Sequence, residues 1–404
     1  MSLKALEGIR VLEYCTTISG PYCTKLMADL GAEVIHLEPP RTGDDARKSP
    51  PFPQDLPHPD KSGLFLFLNT NKLGITLDPQ LSRGKEIFEQ LVKNADVLVE
   101  DRSPEQMEHM GLGYDDLRKL NPGLIVASIT PFGRSGPFAD YTAHALNISH
   151  VSGQGYLLPL PSPHLERAPT MVGGHSTDFD SGQTAAVAIL SALFSRGITG
   201  KGQLVEVSKQ EALLSFQRVE AVIFANTGEV STRKGPSTER LITMMFPCKD
   251  GHVIAVTPLK HQWEALMKLI ESDGQSTQGL STDAAHRTEN AEALLELIGN
   301  WTKKHTKEEI WKKAQAANCP ITPMNSAEDV VKSEQMNTRG FFAEIEHPEA
   351  GRLKMPARPY HFSKTPCVFE RAAPLLGEHN EAVYCERLGY DEKELRELEK
   401  AGVI

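Results

Sequence analysis

Short apolar runs alternate with helical periodicities over the first third of the chain. Residues 9–14 predict a strand, 21–30 a helix entered after Ser19-Gly20, and 33–38 a second strand. Such a β-α-β unit makes its strands parallel and places the turn Cys15-Thr16-Thr17-Ile18-Ser19-Gly20 at the carboxyl edge of a sheet, where open α/β folds bind ligands. The alternation continues with a strand at 76–78, a helix at 83–94, a strand at 97–100, a helix at 114–120 behind Gly113 and a strand at 124–129. This rhythm predicts a doubly wound sheet, not a helical bundle.

Two stretches interrupt it. A Pro-rich polar loop spans 39–61, long enough to suggest a function of its own. From 131 to 180 the chain is rich in Gly, Ser, Pro and His and has little periodicity, the kind of segment in which site residues concentrate. An Ala-rich helix is expected at 183–194, closed by Gly197, then a short strand at 205–207 and a long helix at 210–225. Residues 231–239 read as a linker. Beyond it, Asp250-Gly251 signals a hairpin, with helices at 262–271, 291–301 and 307–317, and the chain ends in a charged helix at 391–401.

Composition narrows the function classes. The 404 residues carry 43 Lys and Arg against 53 Asp and Glu, a net charge of −10, which argues against bulk nucleic-acid binding. A hydrophobic content of 40% and a mean hydropathy of −0.32 describe an ordinary folded protein. The longest apolar run, 185–194, is shorter than a membrane span, and the N-terminus lacks the plan of a signal peptide; a cytoplasmic protein is expected. Six cysteines lie scattered without a C-x-x-C pair, as free thiols would.

The densest polar constellation is His175-Ser176-Thr177-Asp178-Phe179-Asp180-Ser181-Gly182, just ahead of the Ala-rich helix. A carboxylate there meets unpaired N–H groups and the positive end of a helix dipole, which orient it and keep it ionised. Such a carboxylate can attack a thioester; a capping role for Asp178, Asp180 or Ser181 accounts for the same residues. His175, Asp178 and Asp180 have a metal-like spacing without a completed shell, so no metal is expected. The G-x-S-x-G elbow fails at Asp178, and the dinucleotide fingerprint begun at Gly111 fails at Asp116. Phe132, Tyr141, Tyr156 and Met244 are candidate pocket walls, with core packing as the plainer account of each.

Several landmarks, in order and spacing, resemble the family III CoA-transferases, the group that includes formyl-CoA:oxalate and carnitine-type CoA-transferases and the α-methylacyl-CoA racemases. They include Gly8 to Glu13, Ser19-Gly20-Pro21, Asn69-Thr70-Asn71-Lys72, Phe132-Gly133-x-x-Gly136-Pro137, Asp178-x-x-x-Gly182 and Gly377-Glu378-His379. The resemblance implies that coenzyme A is substrate and carrier, that Asp178 is the nucleophile forming a mixed anhydride and then an aspartyl-CoA thioester, and that a carboxylic acid takes the CoA. It places Ser19, Leu68, Lys72 and Met110 at the CoA moiety, with Arg41 and Arg47 near its phosphates. It also implies a large Rossmann-like doubly wound α/β domain built from both chain ends (1–210 and, after a linker, 337–404). A helix and linker at 211–239 would lead to a smaller α+β domain at 240–336, in an interlocked homodimer.

The sequence departs from the family at three places. Pro39 replaces a residue usually basic, His109 an Arg, and the glycine-rich loop of the oxalate enzymes is missing near 236–246, so oxalate is not the expected acceptor. The racemases place a catalytic His in a context similar to that of His144, and a His144/Asp178 pair exchanging an α-proton is the alternative reading. A non-catalytic CoA-binding relative, with Asp178 only a cap, is the alternative from another class.

Overall fold

The computed structural model describes residues 4–404 except 160, 161, 163, 217, 234–242, 258, 279, 281–286, 288 and 358. The chain divides into two compact units, one comprising Met1–Leu158, Pro169–Thr232 and Gly340–Ile404, the other Pro159–Ala168 and Arg233–Arg339.

The first unit is organised by β1 (Arg10–Tyr14), β2 (Glu33–Glu38), β3 (Leu73–Thr76), β4 (Val97–Glu100), β5 (Ile125–Thr130) and β6 (Leu204–Ser208). All pair in parallel in the order β3-β2-β1-β4-β5-β6. The order reverses between β1 and β4, which opens a crevice beyond the carboxyl ends of those two strands. The sheet is apolar on both faces, as a covered parallel sheet must be. Leu12, Leu37, Ile75, Leu98 and Val126 pack on one side with Ile87, Phe88 and Leu91 of a helix at Ser82–Lys93. Val11, Val34, Val97, Ile125 and Ala127 pack on the other with Cys23 and Met27 of α1 (Ser19–Asp29) and Ala185 and Ile189 of the helix Ser176–Thr199. The last helix, Glu392–Lys400, adds Leu398 to the first face.

Three expectations need correction. The third strand comes earlier than 76–78, because Leu73 and Ile75 supply its buried positions. The helix expected from 183 begins at Ser176, so Asp178 stands in its first turn and not in irregular chain. Ser, Thr and Asp are poor interior helix formers but good first-turn residues, which is why periodicity alone hid the start. The helix expected at 210–225 is two, Lys209–Phe216 and Arg218–Thr227.

The second unit contains an antiparallel sheet of Thr243–Cys248, Gly251–Val256 and Ile321–Pro323, packed through Trp263, Leu266, Ile298 and Trp301. The segment 159–168, which no sequence pattern placed, joins this unit; Arg233 donates to the carbonyls of Leu165 and Arg167 at 3.2 and 2.6 Å. The linker expected at 231–239 and the boundary at 240 lie outside the described residues from 234 onward.

Candidate active site

Three segments far apart in sequence meet beyond the carboxyl edge of the large sheet. Ser19 opens α1 after β1, Asp178 lies in the first turn of Ser176–Thr199, and Lys209 follows directly on β6. Ser19 Oγ donates to Asp178 Oδ1 at 3.0 Å, and Lys209 Nζ donates to the same oxygen at 2.9 Å. Asp178 is buried, 8% exposed, and its ion pair with Lys209 is only slightly open to solvent. Among the described residues no hydrogen-bond donor is found on Oδ2. One oxygen is therefore clamped by a hydroxyl and an ammonium, and the other is left to react.

Glycine makes this convergence possible. A Cβ on Gly182 would come within 2.5 Å of the Ser19 carbonyl oxygen and 3.3 Å of the Cys23 amide, so only hydrogen permits the close approach of the two helices. The spacing Asp178-x-x-x-Gly182 thus has a plain physical reason: one helical turn separates the carboxylate from the contact that delivers Ser19 to it. Tyr22, Phe67 and Phe179 form an aromatic cluster next to the Asp178 turn, with the Tyr22 and Phe179 rings 4.7 Å apart, edge to face.

The loop leading to Ser19 is tied down by carboxylates. Thr16 donates its amide to Asp101 Oδ2 at 2.8 Å, and Thr17, with φ of 66°, donates its amide to Asp44 Oδ1 at 3.0 Å. Below lies a buried charge cluster: Lys72 reaches Glu13 at 2.8 Å, His36 reaches Glu13 at 3.0 Å and Asp44 at 3.7 Å. Burial acts to raise the Glu13 carboxyl, but Lys72 and His36 outweigh it and hold the group down at about 2. Burial wins at Asp44, raised to about 6, and at Glu100, raised to about 7.

The residues assigned to CoA by resemblance separate into two sets. Arg41 and Met110 line a cavity of about 950 Å³ with Tyr14, Arg102 and His109, beyond the carboxyl ends of β1 to β4. Arg41 is exposed and has no carboxylate within ion-pair distance among the described residues. By contrast, Arg47 is buried and all five of its N–H donors are taken, by Glu38, Asp60 and the carbonyls of Pro59 and Pro374. Lys72 is equally committed, to Glu13, Asn69 and the Pro21 carbonyl, and Leu68 is a core residue beside Phe65. His144 sits exposed at the head of the helix Ala145–Val151, and among the described residues no hydrogen bond or ion pair joins it to Asp178. Phe132 stacks edge to face on Phe138 and Tyr141, while Met244 belongs to the second unit's core. Among the described residues no cluster of His, Cys, Asp or Glu is fit to hold a metal ion, and no helix is long and apolar enough to cross a membrane.

Sequence reading missed Lys209. Its one signal was position: a cation directly after a β-strand that ends at the ligand-binding edge of a parallel sheet.

The sequence profile of CoA-transferase family III matches residues 6–380. The chain belongs to that family. A formyl-CoA:oxalate CoA-transferase of Streptomyces avermitilis is 33% identical over 99% of this chain and 100% of its own length. The succinyl-CoA:(R)-benzylsuccinate CoA-transferase subunit BbsE of Thauera aromatica is 31% identical over 95% of each. Among solved structures, a CAIB/BAIF family protein from Brucella suis superposes with a TM-score of 0.83 at 26% identity, covering 96% of this chain and 100% of that one. This family III CoA-transferase therefore shares its mixed α/β fold with that Brucella suis protein over nearly its whole length.

Proposed function

We propose that the protein moves CoA from an acyl-CoA thioester to a carboxylic acid through Asp178. The observation that carries this reading is the asymmetric hold on the carboxylate, with Oδ1 fixed by Ser19 and Lys209 and Oδ2 without a donor among the described residues. Oδ2 attacks the acyl carbonyl, the C–S bond breaks, and a mixed anhydride and a CoA thiolate result. The thiolate then adds to Cγ of Asp178, expelling the first acid as its carboxylate and leaving an aspartyl-CoA thioester. The acceptor carboxylate reverses both steps, forming a new anhydride that the thiolate opens at the acceptor's carbonyl. Each step replaces one acyl bond by another, so no water or redox partner is consumed. During thiolate attack the negative charge develops on Oδ1, where two donors already stand.

CoA is proposed to lie along the cavity beyond the carboxyl ends of β1 to β4, with Arg41, a cation without an ion pair among the described residues, for its phosphates and Met110 against its body. Arg47, Lys72 and Leu68 take the role of support beneath it. The relatives' names carry different acids at nearly equal identity, so the proposal stays with the class of acyl-CoA and carboxylic acid. Residues 236–246 contain no glycine, and the acceptor is proposed to differ from oxalate. The free thiols Cys15, Cys23, Cys248, Cys319 and Cys385 suit the reducing cytoplasm. The racemase reading has less support: Asp178 is engaged by Ser19 and Lys209, and His144 is not.

The test is mass spectrometry of the protein mixed with a panel of acyl-CoAs. A covalent CoA adduct on Asp178, converted to a hydroxamate by hydroxylamine, is expected; turnover with Asp178 unlabelled under trapping would end the proposal.

We also propose a homodimer. The helix Ser176–Thr199 presents Val187, Phe194 and Ile198 on one face, the last two 76% and 75% exposed, and Val219, Val222 and Phe224 are exposed on Arg218–Thr227. Helix faces of this kind rarely stay bare in a single chain. Light scattering at micromolar concentration should give twice the chain mass; a stable monomer refutes it.

A further inference from the structure

We propose that Lys209 is the residue that binds the carboxylate of the free acid in the CoA-loaded enzyme, passing from Asp178 to the substrate as Asp178 loses its charge. This deepens the reading of Asp178 as CoA carrier and rests on it.

The argument is one of charge. In the resting site the Lys209 ammonium is paired with Asp178 at 2.9 Å, its side chain 17% exposed. When Asp178 becomes a thioester it is neutral, and this largely buried ammonium loses its partner, which is unfavourable in a poorly solvated place. Asp101 is a second carboxylate that Lys209 acts on electrostatically. Its side chain is 14% exposed; Oδ2 accepts from the Thr16 amide and hydroxyl at 2.8 and 3.3 Å, Oδ1 lies 3.9 Å from Arg102, and no ion pair to Lys209 forms. The anion that arrives in the loaded state is the acid itself, and it must bring an oxygen to Cγ of Asp178, beside the oxygen Lys209 already touches. Balance holds in both directions: when thiolate opens the anhydride, Oδ2 leaves with the acyl group as a carboxylate, next to the ammonium. When an acceptor carboxylate attacks the thioester, thiolate leaves and later returns, freeing Asp178 to take Lys209 back. One cation thus serves two anions in turn.

Two measurements test this. The first uses Asp178→Asn, which keeps the side-chain size and removes the charge as thioester formation does. Carbon-13 succinate is titrated by NMR into the wild-type chain, D178N and the double variant D178N/K209M. D178N should bind succinate about tenfold or more tighter than the wild type, and the double variant should lose the gain. Equal binding by all three overturns the proposal. The second follows discharge of the preformed aspartyl-CoA thioester in wild type, K209R and K209M. Succinate should discharge K209M at least about a hundredfold more slowly than wild type, with K209R in between, while hydroxylamine, which carries no carboxylate, discharges all three alike. An equal slowing with hydroxylamine reduces Lys209 to a structural role. A wild type that forms no thioester defeats the CoA-carrier reading, and the succinate titration still reports on Lys209 separately.

Discussion

Asp178→Asn is expected to lower CoA transfer by about 10³-fold or more in kcat, with the far-ultraviolet circular dichroism unchanged. The amide is nearly isosteric and can still accept from Ser19 Oγ, now 3.0 Å from Oδ1, so the first turn of the helix keeps its geometry. What disappears is the anionic oxygen able to form the anhydride, and with it every later species in the cycle. The measurement pairs steady-state turnover with intact-protein mass spectrometry: no CoA adduct should accumulate. Wild-type turnover by this variant would leave the Asp178 cluster as mere support and remove the mechanism.

The second large effect concerns stability. Lys72→Met should destabilise the first unit by about 3–5 kcal/mol, because it strips a fully buried carboxylate of its closest cation. Glu13 is held down at about 2 in the native chain, so its contribution is fully present above the ordinary carboxylate range and fades as pH falls through that range toward 2. Without Lys72, burial is opposed only by His36 and by the Thr24 hydroxyl, which donates to Glu13 at 2.6 Å, and the carboxyl moves up, taking a proton at higher pH. The variant's deficit, read from urea midpoints, should therefore be larger at pH 8 than at pH 5. Adding Glu13→Gln to Lys72→Met should recover part of the loss; no recovery would place the effect in packing rather than in charge.

Much of the large sheet was legible because parallel strands buried on both faces are written as short apolar runs, as at β4 and β5, each flanked by a helix with a clear stripe such as Ser82–Lys93. Asp178 was legible as a carboxylate at the head of a helix, and the family resemblance ranked it above its neighbour Asp180. The identity of its partners was not. Ser19 and Lys209 are 159 and 31 positions away, and nothing local says that their side chains converge on one oxygen. Arg47 and Lys72 illustrate the converse: a cation in a ligand-binding neighbourhood looks available in sequence, yet both are consumed by carboxylates and carbonyls that only folding brings near. The start of the helix at Ser176 was hidden because a first turn of Ser, Thr and Asp is stabilised by end effects, which leave no hydrophobic period.

The bond between Ser19 and Asp178 spans 159 positions and depends on Gly182 fitting against the Ser19 carbonyl. No local fragment can rehearse that arrangement, because the two helix heads are brought together by packing between segments far apart in the chain. Contacts of such sequence separation are costly to close, so chemical competence is expected to arrive late along the folding route. A chain caught short of that last docking would carry nearly native secondary structure and no nucleophile in place, so that recovery of catalysis, not of ellipticity, marks the moment at which this molecule is finished.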